Sequence, residues 1–525
     1  MFGEGLKCYN NGDVFRGTYK NDKKEGYGVF YFSKGDIYKG NFNNSLFDGK
    51  GMIHWNKGDR YEGDFKNKKI EGKGTRYYMN GKKYEGEWKN NKREGKGIVH
   101  YNNGDMFEGN FKNDKKEGKG IKYYSNGTTY VGDYKDNKME GKGILYYKNG
   151  DRYEGDFKNN LIEGKGIRYY NNGSKFEGNW KNNIKEGFGK KININGNKFE
   201  GNYKNDKKEG KGIKYYSSGE IYVGDYKNNK IEGKGILYYL NGTIYKGNFK
   251  NNIREGKAIT YFHNGDRYEG DYKNNRIEGK GSFFYHNGNK YEGDFIDNKK
   301  NGKGKFYWKN GDIYEGDFID NIREGRGIFF YNDGQKYVGD FKNNKREGKG
   351  IFYSNNGNIY KSNIINGVGE GFSIFYYNNG DIFKGEFKNG IKEGRGIYYY
   401  NNGNKYEGDY KNDEKEGKGI FYWIHGNKYV GDFHNNKKEG KGILYFKNRG
   451  RYEGDFYNNI MEGIGILYKN NIKKYEGEWK NNKKEGNGIE YFNDGSRYEG
   501  EFKNGIKQDK GIFYDKNGKI IKGIK

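Results

Sequence analysis

In this chain of 525 residues the first groups to weigh for chemistry are six histidines, His54, His100, His263, His286, His425 and His434. Imidazole binds metals and moves protons near neutral pH, but both tasks need partners at defined spacing. His263 and His286 share one phase of a repeat, yet no third ligand accompanies them, so solvated turn residues are the simpler reading. The single cysteine, Cys8, leaves no intrachain disulfide and no cysteine-based metal site. Gly-x-Gly recurs throughout. The nearest approach to a phosphate loop, Gly367-Val-Gly-Glu-Gly371, lacks the lysine and Ser/Thr of a P-loop and leads into a strand. Carboxylates such as Glu62 and Asp64 recur in most repeats, so no pair stands apart as an acid–base couple; pairing with lysines across strands is their expected work. The sequence therefore predicts no enzyme: no catalytic residue, no metal site and no cofactor.

Composition narrows the class. Hydrophobic residues are only 31% and mean hydropathy is −1.29, values that often accompany disorder. Against that stand 55 Tyr, 35 Phe and no proline, which suit a chain that spends nearly every backbone N–H in a sheet. Glycine, at 91 residues without proline, excludes collagen. The N-terminus has no apolar signal core and no run of about 18 apolar residues exists, so a cytosolic chain without a membrane span is expected.

The elements that must position these residues form one repeat. An aromatic, one residue and a glycine recur from Gly17 through Gly40, Gly63 and Gly86 to Gly523 at a constant 23-residue interval, and Ser362 alone breaks the column. A fixed period of this size marks a repeat array. The reading is 22 units over 15–520, with 1–14 and 521–525 as partial repeats. In the unit Tyr61–Lys83, Tyr61-Glu62-Gly63-Asp64-Phe65 alternates bulky and polar residues, the period of a strand. Lys66 to Glu71 reads as a charged connection, Thr75 to Tyr78 as a second strand, and Asn80-Gly81 as a tight turn, because both residues tolerate positive φ. The fold class expected is all-β, an elongated array of antiparallel β-hairpins. The aromatics on either side of the first glycine predict a ladder of rings lying across glycine backbone. A single sheet with such a face also suits pairing with a second copy, so a homodimer is expected.

Lysine and arginine number 99 against 71 Asp and Glu, a net charge of +28. Pairs of cations recur in the charged connections: Lys68-Lys69, Lys92-Arg93, Lys115-Lys116, Lys207-Lys208, Lys345-Arg346, Lys437-Lys438 and Lys483-Lys484. All of these turns are expected along one edge of the sheet. A row of cations there either meets an anionic lipid surface, at about 1 kcal/mol per residue, or keeps an aromatic-rich sheet soluble and unaggregated. Nucleic acid is disfavoured, because the aromatics have the strict phase of buried positions and acids are interleaved throughout.

Three units depart from the pattern. Tyr360–Ile382 has Ser362 for glycine, Ile364 for the aromatic and Ser373 for a later glycine, and reads as a bend or a partner site. Phe176–Lys198 has a polar second strand, Lys190 to Asn195. Tyr452–Lys474 has Asn470-Asn471-Ile472 in place of the Asn-Gly turn.

The run Tyr84-Glu-Gly-Glu-Trp-Lys-Asn-Asn-Lys-Arg-Glu-Gly-Lys-Gly97, and its counterpart Tyr475 to Gly488, resembles the MORN (membrane occupation and recognition nexus) repeat over essentially the whole chain. One departure is systematic: Glu94, Glu117 and Glu140 stand where that family often has histidine. The resemblance implies a non-enzymatic scaffold that links membrane or cortical cytoskeleton to protein partners, as in nearly all-repeat members of protist cortex and division apparatus. It implies as alternatives a phosphoinositide- or anionic-lipid-binding module, or a regulatory subunit of a lipid kinase or other enzyme. The location it implies is cytoplasmic, at the cytoskeleton or the periphery of a membrane.

Overall fold

The structure, a computed structural model, describes residues 2–524 and is all-β. No helix among the described residues is long and apolar enough to cross a membrane. Residue contacts divide the chain into two units, Met1–His263 and Asn264–Lys525. The first holds strands β1 (Gly3–Cys8) to β23 (Ile253–Tyr261), the second β24 (Arg267–Lys273) to β46 (Ile520–Ile524). Within each unit every strand pairs antiparallel with its neighbours in chain order, as expected of a hairpin array.

One repeat shows the construction. Strands β6 (Arg60–Lys66) and β7 (Lys69–Tyr77) form a hairpin, and β8 (Lys83–Lys89) with β9 (Lys92–His100) form the next. The expected connection Lys66 to Glu71 is in fact two residues, Asn67 and Lys68, with φ of +51° and +65°. In the next repeat Asn90 and Asn91 have φ of +52° and +66°. This is a type I′ turn, whose twist matches that of the flanking strands, and asparagine bears the positive φ it requires. The Asn-Gly segment forms a different turn. The loop is Met79-Asn80-Gly81, with Gly81 N–H donating to Tyr78 O at 3.0 Å and only Gly81, at φ +81°, in the left-handed region. That is a type I turn closed by a glycine. The unit without Asn-Gly closes with a second two-residue turn, Asn470-Asn471, at φ +51° and +61°.

The register sets Gly63, Gly74, Gly86 and Gly97 side by side across four strands. Beyond Gly63 the pairing shifts: Asp64 alone faces Glu71, Gly72 and Lys73, and pairing resumes at Phe65 opposite Ile70. The Glu-Gly-Lys-Gly motif is therefore a bulge, and its central Gly72 has φ +67°. The acidic residues satisfy the backbone that the bulge and turns leave open. Asp64 Oδ2 accepts from Lys73 N–H at 2.9 Å, and Glu71 Oε2 accepts from Asn90 N–H, in the turn of the next repeat, at 2.8 Å. Asn91 Oδ1 in turn accepts from Ile70 N–H at 2.7 Å. Each repeat is thus tied to its predecessor through its turn. The glutamate at the family's histidine position has this bonding role.

The core is the aromatic ladder. Tyr84 is fully buried and Trp88 4% exposed. The Tyr84 ring lies across Gly86, where an added Cβ would sit 2.5 Å from Oη and 2.6 Å from Gly97 Cα. Its hydroxyl donates to Glu87 O at 2.9 Å, the carbonyl at the bulge. Edge-to-face contacts, the geometry the ring quadrupole favours, run within and between repeats: Tyr61–Trp88 5.4 Å, Tyr84–Trp88 5.0 Å, Tyr84–Phe111 5.1 Å.

Candidate functional site

The structure separates the paired cations. Adjacent residues of a strand point to opposite faces, and with the connection reduced to two residues every pair but Lys68-Lys69, whose Lys68 lies in the turn, sits at a strand start. Lys68 and Lys69, Lys92, Lys115, Lys207, Lys345, Lys437 and Lys483 are exposed beside the I′ turns. Asparagines and acids of the next turn hold some of them: Lys69 Nζ reaches Asn90 Oδ1 at 2.9 Å and Lys115 Nζ reaches Asp136 Oδ1 at 2.5 Å.

In the other six pairs the second members face the rings instead. Lys116 Nζ stands 4.3 Å over the Phe107 ring, Lys208 Nζ 4.2 Å over Phe199, and Lys484 Nζ 4.8 Å over Tyr475. Arg93, Arg346 and Lys438 lie 5.0–5.6 Å from Phe111, Tyr337 and Trp423. Placing this half of the pairs along the edge is therefore corrected. Burial pushes the Lys116 and Lys208 amines down to about 8. The same column holds Ile70, Met139 and Ile162 in other repeats, all buried. The position is thus a lid over the ladder, filled by an apolar chain or by a cation on a ring face. Lys116→Met should stabilise the fold by about 1 kcal/mol, since it removes a desolvated charge and keeps the stem's packing. A higher melting temperature at pH 7 is expected, and the gain should shrink as pH rises from about 8 to 10.5, because over that window the unfolded chain binds the proton the folded lysine has lost.

The opposite face carries a groove. Two rows of side chains flank the glycine backbone. One row crosses the strands as Glu85, Ile98, Glu108 and Ile121; the other alternates cations with acids or amides, as Lys96, Asn110, Lys119 and Asp133. Ion pairs close much of the second row, with Lys50–Asp64 at 2.5 Å, Lys119–Asp133 at 2.7 Å and Lys211–Asp225 at 2.6 Å. In the first unit the groove has a stretch of ≈ 1390 Å³ between Lys50 and Gly155 and another of ≈ 990 Å³ from Phe188 to Lys257. In the second unit two stretches of ≈ 1010 Å³ each lie between Glu292 and Ile374 and between Phe372 and Gly454. Phe188 and Phe372, 50% and 62% exposed, replace the lysine of the second row at the ends of these stretches. Sequence reasoning missed this groove, although the Glu/Ile and Lys/Asp columns that flank it are visible as periodic positions.

The remaining sites behave differently. Ser362 Oγ and Ser373 Oγ lie 2.7 Å apart where glycines usually face each other, and Ser362 Oγ donates to Asn363 O at 2.8 Å. That carbonyl is the one a tyrosine hydroxyl takes in other repeats. Tyr360 is left half-buried, with its Oη 3.4 Å from Ser373 Oγ, and Ile364 fills the ring position. Backbone amides around Ser362 should exchange at least about tenfold faster than those around Gly270, and Ser362→Gly with Ile364→Phe should slow them. Equal exchange in the unaltered chain would remove the weak point. His286 Nδ1 lies 3.1 Å from Asp266 Oδ1, and no group of three metal-ligating side chains is present among the described residues. Gly367 lies in an I′ turn and Gly369 to Gly371 in a strand, positions without a helix N-terminus behind them.

Fold and surfaces define a β-hairpin repeat protein. The MORN repeat model matches 21 segments, in 23-residue steps from 15–37 to 337–359 and again from 383–405 to 498–520, shortened at 452–471 and leaving 360–382, the serine-bearing unit, unmatched. The chain belongs to the MORN repeat family. Among curated proteins none matches it. Solved structures that resemble it include the TCP10 domain of Danio rerio CPAP in complex with a STIL peptide, at 13% identity, 42% of this chain, 94% of that chain and TM-score 0.27. The Drosophila melanogaster SAS-4 TCP domain in complex with a proline-rich motif of Ana2 matches at 20% identity, 29% of this chain, 83% of that chain and TM-score 0.20. Scores this low establish neither a shared fold nor a shared role.

Proposed function

We propose that this protein is a non-enzymatic scaffold that holds protein partners along a cortical cytoskeletal or membrane-associated structure, with the groove as its docking face. The observation that carries the reading is the groove itself. The aromatic face is filled by its own rings and lids, whereas the groove presents backbone, isoleucines and ion pairs with the period of the repeat. Many weak contacts spaced along one chain add up through effective concentration. In the cell of origin a tagged chain should co-pellet with the detergent-resistant cytoskeleton. The triple variant Ile98→Arg, Ile121→Arg, Ile144→Arg, which fills the groove without touching the ladder, should move it to the soluble fraction with its melting curve unchanged. Retention in the pellet would contradict the proposal.

The exposed edge lysines favour a second reading, contact with anionic lipid. Their charge, within a net +28, would make binding to phosphatidylserine vesicles fall steeply with salt. Lys92→Glu with Lys115→Glu and Lys207→Glu should weaken it. Binding indifferent to salt and to these changes would exclude it.

A further inference from the structure

The groove is not uniform in charge. Between Lys50 and Gly155 its lining balances five lysines against five glutamates. From Phe188 to Lys257 the lining holds four lysines and Glu200, and between Glu292 and Ile374 four lysines and Arg326 with Glu292 and Glu315. Asp225, Asp317 and Asp340 pair with Lys211, Lys303 and Arg326, whereas Lys234, Lys246, Lys349 and Lys361 have no such acid partner among the described residues. The cause is a coordinated replacement. Where repeats such as Glu62-Gly63-Asp64 and Glu269-Gly270-Asp271 carry two acids, these stretches contain Lys246-Gly247-Asn248 and Lys361-Ser362-Asn363. Each exchange puts a cation into the first row and removes an acid from the second. Lys246 faces Ile236 and Ile259, and Lys361 faces Ile351 and Ile374, the places a glutamate holds elsewhere. Across the glycines, Lys234 is opposite Asn248 and Lys349 opposite Asn363, so neither has the aspartate that pairs with Lys50 or Lys119. All four lysines are exposed, and their ammonium groups form no ion pair among the described residues. Lys246 and Lys361 rest at 5.3 Å and 5.1 Å over Tyr261 and Tyr376.

We infer that these two stretches, one in each unit, are basic docking segments for an acidic polypeptide segment of a partner protein. Charge complementarity selects the partner's sign: carboxylates supply what Lys234, Lys246, Lys349 and Lys361 lack. The floor selects a polypeptide over a lipid bilayer. That floor is glycine backbone, Gly212, Gly224 and Gly235 in one segment and Gly327, Gly339 and Gly350 in the other, walled on one side by the first-row Ile213, Val223 and Ile236 and by Ile328, Val338 and Ile351. Apolar side chains on a narrow chain reach such a floor; a flat headgroup layer meets only the rims. The inference rests on the groove being the docking face and adds where it is basic and what it takes there.

The test uses the full chain, a fluorescent peptide of repeated Glu-Leu-Glu-Ser, its Lys-Leu-Lys-Ser counterpart, and phosphatidylserine vesicles. The charge-restoring variant carries Lys246→Glu, Asn248→Asp, Lys361→Glu and Asn363→Asp, residues that other repeats, such as Glu269-Gly270-Asp271 and Glu315-Gly316-Asp317, hold in the same register. At low salt the unaltered chain should bind the acidic peptide at least about tenfold tighter than this variant does, and the lysine peptide should show no such loss. Equal binding of the acidic peptide by both chains would overturn the inference. So would vesicle binding that the variant loses while neither chain binds the peptide, which would assign the lysines to lipid. If charge restoration changes nothing while the arginine triple variant still releases the chain from the cytoskeleton, the docking face stands and the basic segments fall.

Discussion

Trp88→Ala is expected to destabilise its neighbourhood by about 3–5 kcal/mol, whereas Lys92→Ala, four residues along the same hairpin, should cost less than about 0.5 kcal/mol. The indole is 4% exposed and lies edge-on to Tyr61 and Tyr84 at 5.4 and 5.0 Å. Its Nε1 also donates to Gly74 O in the preceding repeat at 3.1 Å. Removing it opens a cavity between two repeats and leaves that carbonyl short of a donor, while Lys92 stands in solvent beside a turn. In an array whose repeats contact mainly their neighbours the damage is local. Hydrogen exchange over residues 61–111 is therefore the appropriate measurement, and small, equal effects from both variants would mean the ladder is not the core.

Gly86→Val should be comparably severe, about 3 kcal/mol, through overpacking rather than a cavity. The first side-chain carbon alone would come within 2.6 Å of Gly97 Cα and against the Tyr84 hydroxyl, so the ring must leave its place over the backbone. The serine-bearing unit displays a mild natural version. Two hydroxyls in the glycine row leave Tyr360 half-buried and its usual carbonyl bonded to Ser362. A valine at position 86 lacks the hydroxyl that makes this exchange tolerable. Thermal unfolding should show a lower onset for Gly86→Val than for Gly86→Ser; identical onsets would contradict the close-packing account.

Much of this was legible in the residues. Alternation around Gly63 and the constant interval identify the strands, and the aromatic columns identify the buried face, because period two and burial are local properties. The turns are less legible. Asn-Gly drew attention as the positive-φ pair, yet only Gly81 uses that freedom, while Asn90-Asn91 and even Asn67-Lys68 form the I′ turns. The longer connection read at Lys66 to Glu71 hid the alternation that sends Lys115 to solvent and Lys116 to the Phe107 ring. The groove required more than local pattern. Its rows join residues such as Glu108 and Ile121 through the register, and the bulge at Glu-Gly-Lys-Gly shifts that register within each hairpin. The glutamates at the histidine position, Glu94 and Glu117 among them, read only as a departure from the family pattern, accept a backbone N–H of the next turn; their fixed interval in most repeats is the signal for that role.

Site-specific photo-cross-linking in the cell of origin reads out whether partners occupy the groove. A benzophenone side chain at Ile121 on the groove face, at Lys92 on the edge and at Lys116 on the aromatic lid samples the three surfaces of one unit. Discrete protein adducts are expected from position 121 and few from 92 or 116. Adducts confined to position 92, with none from 121, would contradict docking in the groove.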